Sequence, residues 1–124
     1  MEVVVDLKNK NMEAKKTTVK VKNIAQSPQK LRLVADLVRG KGVEEALDIL
    51  ALTNKKGTLF VSKAINSGVA NARDLFSVDK DELNITHISV DGAPVFKRGR
   101  FASRGRSSRI LKRRSHINLE LTVK

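Results

Sequence analysis

The sequence predicts an α+β fold, a three-stranded antiparallel sheet with three helices on one face and a long protruding β-hairpin. Two segments, TTVKVKNI and HINLELTV, alternate apolar and polar residues with the period of a β-strand. Three segments between them place apolar residues at helical spacing. The 124 residues suit one domain. We expect a flexible, Lys/Asn-rich N-terminal tail over residues 1–16 and a single domain over residues 17–124.

The first predicted strand, residues 17–24, leads into a helix whose ends are marked by the sequence. Ser27 is a favourable N-cap, Pro28 suits the first helical position, and Gly40 is a typical C-terminal stop. An ion pair is expected between Asp36 and Arg32, four residues apart. The expected apolar stripe consists of Leu31, Val34, Ala35 and Val38, widened by Leu33 and Leu37.

Two further helices and two further strands follow. The helices are predicted over residues 43–52 and about 56–76, and Gly68 inside the longer one indicates close packing against another element. A strand is expected from about Leu83 to Val90. The last strand is the most regular of the chain, with one face formed by Ile117, Leu119, Leu121 and Val123.

The segment between the last two strands, residues 91–115, is too long for an ordinary loop in a compact domain. We predict that both strands continue outward through it as an extended hairpin with its tip near residues 99–103. Each distal strand would reach about 40 Å at strand rise, against a radius of gyration of about 12 Å for the remaining globule. The hairpin must therefore protrude. Isolated hairpins are marginally stable, so it should order fully only when embedded in a partner.

Positive charge is concentrated in this hairpin. The chain has a net charge of +12, and residues 97–114 contain nine cations and no carboxylate, whereas residues 40–90 are nearly neutral. This asymmetry indicates a polyanionic partner, nucleic acid before anionic membrane. A solvated basic loop is the plain alternative, and membrane binding lacks an amphipathic helix with apolar anchors. With four Phe and no Tyr or Trp, phosphate and shape recognition are expected over base stacking.

A second basic set surrounds the first strand and helix start, and it consists of Lys20, Lys22, Lys30 and Arg32. Backbone amides over residues 27–30, at the helix N-terminus, are suited to bind a phosphate group. The alternative is ordinary solubilising charge beside an N-cap.

No catalytic or metal-binding constellation is predicted. The chain has no Cys, and neither His87 nor His116 has an identifiable partner. Glu44, Glu45 and Asp48 fit an exposed helical face. We therefore expect no enzymatic activity, no cofactor, no metal and no membrane partner.

Three segments together resemble one family. They are SPQKLRLVADLVRGKGVEEALDIL, AINSGVANA and VDGAPVFKRGRFASRGRSSRILKRRSHINLEL. In order and over residues 16–123, they are similar to the bacterial large-subunit ribosomal protein twenty-two, the universal uL-twenty-two family. The resemblance implies a cytoplasmic protein of the ribosome that binds large-subunit ribosomal RNA, aids early assembly and lines the nascent-peptide exit tunnel with its hairpin.

The resemblance also implies partners and sites. The partners are large-subunit rRNA, neighbouring large-subunit ribosomal proteins and, at the hairpin tip, the nascent polypeptide. The tunnel tip would consist of Phe96, Lys97, Arg98, Gly99, Arg100, Phe101 and Ala102. Together with the two basic sets, the expected RNA-binding residues are Lys20, Lys22, Ser27, Gln29, Lys30, Arg32, Lys97, Arg98, Arg100, Arg104, Arg106, Arg109, Lys112, Arg113 and Arg114.

A rival interpretation from another functional class is a DNA-architectural protein that places a basic β-arm in a groove. Such proteins insert an apolar wedge between base steps, and Phe96 or Phe101 would serve as that wedge.

Overall fold

Four antiparallel strands form one sheet, with three helices on one of its faces. The computed structural model describes residues 2–5 and 15–124. The elements in chain order are β1 (Glu2–Val5), β2 (Lys16–Ile24), α1 (Pro28–Val38), α2 (Val43–Leu52), α3 (Gly57–Phe76), β3 (Leu83–Phe101) and β4 (Ser107–Val123). The sheet has the spatial order β1-β2-β4-β3. The predicted α+β class and the three predicted antiparallel strands, which are β2, β3 and β4, are confirmed, and β1 is an additional strand.

The prediction that residues 1–16 form a flexible tail is wrong for residues 2–5. They pair antiparallel with β2, from Glu2 opposite Lys22 to Val5 opposite Val19. Valine favours extended backbone, and the outer edge of β2 presents unpaired backbone groups that a further strand can use. Lys16 already belongs to β2. Residues 1 and 6–14 of the expected tail lie outside the described part of the chain.

One apolar core fills the space between the sheet and the helices. Val19 and Val21 of β2 and Ile117, Leu119 and Leu121 of β4 are fully buried on its inner face, as their alternation predicts. Each such side chain contributes about 1.5–3 kcal/mol when it is withdrawn from water. The helices contribute Leu31, Val34, Ala35, Val38, Val43, Ala46, Leu50, Val61, Ala64, Ile65, Val69 and Ala72.

Helix α3 lies directly on the sheet because Gly68 has no side chain. A Cβ atom at this position would lie 2.6 Å from Cδ1 of Leu121 and 3.3 Å from Cγ2 of Val19. Carbon atoms cannot approach that closely without displacement. The close packing expected around Gly68 is therefore confirmed, and β4 and β2 are the elements that approach it.

Helix α1 and the loop after it cover the outer edge of β3. Arg32 Nε donates to the Val90 carbonyl at 3.2 Å, and Arg39 Nη2 donates to the Ile88 carbonyl at 3.1 Å. These bonds satisfy backbone acceptors that an edge strand would otherwise expose. The predicted Arg32–Asp36 ion pair is wrong, because Arg32 is engaged by the strand edge and Asp36 pairs with Arg39 instead.

Two leucines predicted for the apolar stripe of α1 face outward instead. Leu33 and Leu37 are 67% and 41% exposed, because the sheet and α3 contact only the side of α1 that bears the other stripe residues. The helix begins at Pro28 as predicted, and Gly40 follows its end with φ +77°. Ser27 makes no side-chain capping bond. In the described part of the chain, none of the helices is both long and apolar enough to span a membrane.

Candidate nucleic-acid interface

Beyond the sheet, β3 and β4 continue together as the predicted hairpin, hereafter the arm (residues 91–115). Their pairing runs from Asp91 opposite His116 to Phe101 opposite Ser107. Each strand of the arm spans roughly 35 Å at a rise of about 3.4 Å per residue. Residues 96–109 are all exposed, so this part of the arm projects away from the globule.

Two β-bulges lie where the arm leaves the sheet. One extra residue is inserted in β3 between Ala93 and Phe96, at the site of Pro94. Proline has no N–H to donate, and a bulge is one of the few strand positions that tolerate it. The second bulge lies in β2, where Asn23 adopts φ +58°. Asparagine is among the side chains that accept this left-handed conformation.

A set of contacts ties the base of the arm to these bulges. Arg114 Nη2 donates to the Asn23 carbonyl at 2.5 Å, and its guanidinium carbon lies 4.6 Å from the Phe96 ring centroid. The Asn23 N–H donates to Nδ1 of His116 at 3.1 Å. The hydroxyl of Ser115, a buried residue, donates to the Gln26 carbonyl at 2.6 Å. The arm is therefore anchored at its base by residues that also border its basic surface.

The turn of the arm lies further along the chain than predicted. The Ala102 N–H donates to the Arg106 carbonyl at 2.7 Å, and Arg104 and Gly105 have φ +60° and +70°. The predicted tip at residues 99–103 is corrected to residues 102–106, because Gly99 lies in the strand ladder opposite Arg109. The glycine that supplies the positive φ of the turn is Gly105.

This correction moves several predicted site residues. Arg104 and Arg106, which are expected RNA-binding residues, lie in the turn itself. Phe96 pairs with Lys112 near the base of the arm, so it is not part of the tip. Phe101 stands beside the turn and is 98% exposed.

Cations occupy both faces of the arm, because successive side chains of a strand point to opposite sides. Arg98, Arg100 and Lys112 share one face, as the pairs Arg98–Ile110 and Arg100–Ser108 show. The other face holds Lys97, Arg109 and Arg113. Among the ion pairs formed by residues 15–124, none involves residues 97–114. Both faces therefore present uncompensated positive charge.

The second basic set divides into separate places. Lys20 and Lys22 lie on the face of the sheet that the helices leave open. Arg32 is held at the edge of β3, as described above. Ser27, Gln29 and Lys30 lie beside the arm base and line one groove with Lys112, Arg113 and Arg114.

Lys55 and Lys56 line the same groove and were missed by sequence reasoning. They lie in the connection between α2 and α3, distant along the chain from the other cations. Two adjacent lysines directly before a helix are the only signal the sequence offers for them. Over residues 2–5 and 15–124, no group of three or more His, Asp and Glu side chains is placed to hold a metal ion.

The family model for "Ribosomal protein L22p/L17e" matches residues 19–122, which include the helices and the whole arm. Proteins of this family are structural constituents of the large ribosomal subunit, typically without enzymatic activity, in cytoplasmic ribosomes, with rRNA and ribosomal proteins as partners. The match supports the resemblance found in the sequence over the DNA-architectural alternative. Because it spans most of the chain, the protein belongs to the ribosomal protein L22p/L17e family.

Proposed function

We propose that this structural protein of the large subunit binds large-subunit rRNA with its arm, aids early subunit assembly and lines the nascent-peptide exit tunnel with the arm's turn. The observation that supports this is the presence of uncompensated cations on both faces of the arm. A partner on one side would leave half of them facing water. RNA that surrounds the arm supplies phosphates to both faces.

Arginine dominates the arm because its planar guanidinium makes two parallel hydrogen bonds to a phosphate. Each neutralised phosphate releases counterions, which favours binding and makes it sensitive to salt. The RNA also removes the mutual repulsion among the arm's cations, so binding and ordering of the distal arm reinforce each other.

A role in early assembly follows from the same geometry. An arm enclosed on both faces cannot enter RNA that has already closed around the site. The arm therefore binds before the surrounding RNA helices are fixed, and it then holds them together.

The tunnel-facing segment that we propose is residues 101–106. It differs from the segment that the family resemblance implies, because the turn and not Phe96 forms the distal end. The exposed Phe101 ring and the turn arginines are the groups available to a nascent polypeptide or to the RNA of the wall.

The test is incorporation into large subunits of the double variant Arg109→Gln/Arg113→Gln. Both side chains are exposed, so the globule should fold normally while incorporation falls. The matched control is Lys63→Gln/Lys80→Gln, which removes the same charge from exposed positions outside the arm. Equal incorporation of both variants, measured by sucrose-gradient sedimentation and immunoblotting, would contradict the proposal.

A further inference from the structure

A groove of about 1250 Å³ lies between α1, the α2–α3 connection and the base of the arm. Its apolar surface comes from exposed side chains on both sides, namely Leu33, Leu37, Leu111 and Phe96. Its cations are Lys30, Lys55, Lys56, Lys112, Arg113 and Arg114, and among residues 15–124 no acidic residue lines it. The groove thus combines exposed apolar side chains with positive charge.

The start of α1 adds further donors to this groove. The first hydrogen bond of the helix runs from the Leu31 N–H to the Ser27 carbonyl at 3.2 Å. The amides of Gln29 and Lys30 precede it and belong to the first turn, which has no intrahelical acceptors. Ser27 makes no side-chain cap bond, so its hydroxyl is available as well. Such a terminus favours a phosphate oxygen.

We propose that the groove receives one unpaired nucleotide of the RNA strand that passes the base of the arm. This inference rests on the proposed function, rRNA binding by the arm. The base lies against Leu33, Leu37 and Leu111, and the flanking phosphates contact the surrounding cations. A nucleotide combines an apolar ring face with adjacent negative charge, and that combination matches the apolar and basic side chains of this groove.

RNA is favoured over an acidic protein segment by the continuity of the groove with the arm. Lys112 and Arg113 belong both to the groove and to the arm's basic surface, so a strand bound at the arm base extends into the groove. A paired A-form helix keeps its ring faces stacked, whereas single-stranded loops and bulges expose them. The groove therefore selects an unpaired position.

The first test uses assembled particles. Leu37 is replaced by the photoreactive residue p-benzoylphenylalanine, large subunits containing the variant are irradiated, and the cross-linked partner is identified. We expect a cross-link to a single unpaired rRNA nucleotide. A cross-link only to a ribosomal protein, or none, overturns the inference. The same replacement at Leu59, which is 56% exposed and outside the groove, serves as the control and should not label that nucleotide.

The second test uses two RNA oligonucleotides, a perfect duplex and the same duplex with one bulged 2-aminopurine. The protein should prefer the bulged RNA by roughly tenfold, the preference that burial of one leucine-sized apolar surface supplies, with a change in fluorescence. Leu33→Ser/Leu37→Ser should lose this preference and keep duplex affinity, whereas Leu59→Ser should keep both. Equal binding of the two RNAs by the unaltered protein overturns the inference alone. Failure to bind either RNA contradicts rRNA binding itself.

Discussion

The guanidinium of Arg114 lies over the ring of Phe96, with its central carbon 4.6 Å from the ring centroid, and also donates to the Asn23 carbonyl. Both residues lie within the arm, whose cations the sequence associates with RNA. Their contacts show that the base of the arm is also a structural joint between the hairpin and β2. The arm is therefore held at the sheet and charged along its length.

Loss of the Phe96 ring should loosen this joint. A cation–π contact at an exposed site contributes about 0.5–1 kcal/mol, so Phe96→Leu should speed amide hydrogen exchange at the base of the arm about two- to fivefold. The matched control is Phe101→Leu, which makes the same change at a fully exposed ring. Unchanged exchange in the Phe96 variant would show that the joint does not depend on this contact.

Arg32 should stabilise the fold more than it binds RNA, because its Nε donates to the β3 edge at Val90. Arg32→Gln should lower the free energy of unfolding by about 0.5–1.5 kcal/mol, the usual net contribution of a hydrogen bond. Lys30→Gln, two residues earlier and facing the groove, should lower RNA affinity with little effect on stability. Urea denaturation and RNA titration of both variants check this. If Arg32→Gln instead lowered RNA affinity and left stability unchanged, Arg32 would be an RNA contact.

The contact between α3 and β4 should not accept a side chain at Gly68. Gly68→Ala gains about 1 kcal/mol of helix propensity but forces Leu121 to move, an overpacking cost of about 1–3 kcal/mol. We expect net destabilisation in thermal or urea unfolding. Asn66→Ala, at an exposed position of the same helix, is the control and should not destabilise. If Gly68→Ala were more stable than the unaltered protein, α3 and the sheet would be able to move apart at little cost in free energy.

Salt dependence should report the number of phosphates that the arm contacts. Removal of two phosphate contacts by Arg109→Gln/Arg113→Gln should reduce the slope of log affinity against log salt by about 1.4–1.8. Lys63→Gln/Lys80→Gln should leave the slope unchanged. Filter-binding measurements with large-subunit rRNA over a series of salt concentrations give both slopes. Identical slopes for the two variants would exclude phosphate contacts at residues 109 and 113.

Much of the fold could be predicted because local patterns and packing agree. The alternation around Leu119 and Leu121 fixes the inner face of β4, and the spacing of Leu31 and Val34 fixes the buried face of α1. The outward position of Leu33 could not be predicted, because it depends on which neighbours the helix contacts. Periodicity alone predicts how wide an apolar stripe is. It does not predict how much of the stripe is buried by neighbouring elements.

The sequence predicts which residues form the candidate site better than it predicts how those residues are arranged. Nine cations in residues 97–114 identify the arm, but three glycines lie within residues 92–105, and the turn was predicted near Gly99 instead of Gly105. The choice of Gly105 depends on backbone pairing across the hairpin. Lys55 and Lys56 enter the site only because folding brings the α2–α3 connection to the arm base.

The most direct test of the account is a cryo-electron-microscopy map of a large subunit that contains this chain. Arg100 and Arg109 lie on opposite faces of the arm. The account predicts ordered density for residues 91–115, with an RNA phosphate within hydrogen-bonding distance, about 2.7–3.2 Å, of each of these two guanidinium groups. Phosphates beside only one face, or an arm that extends into solvent, would contradict it.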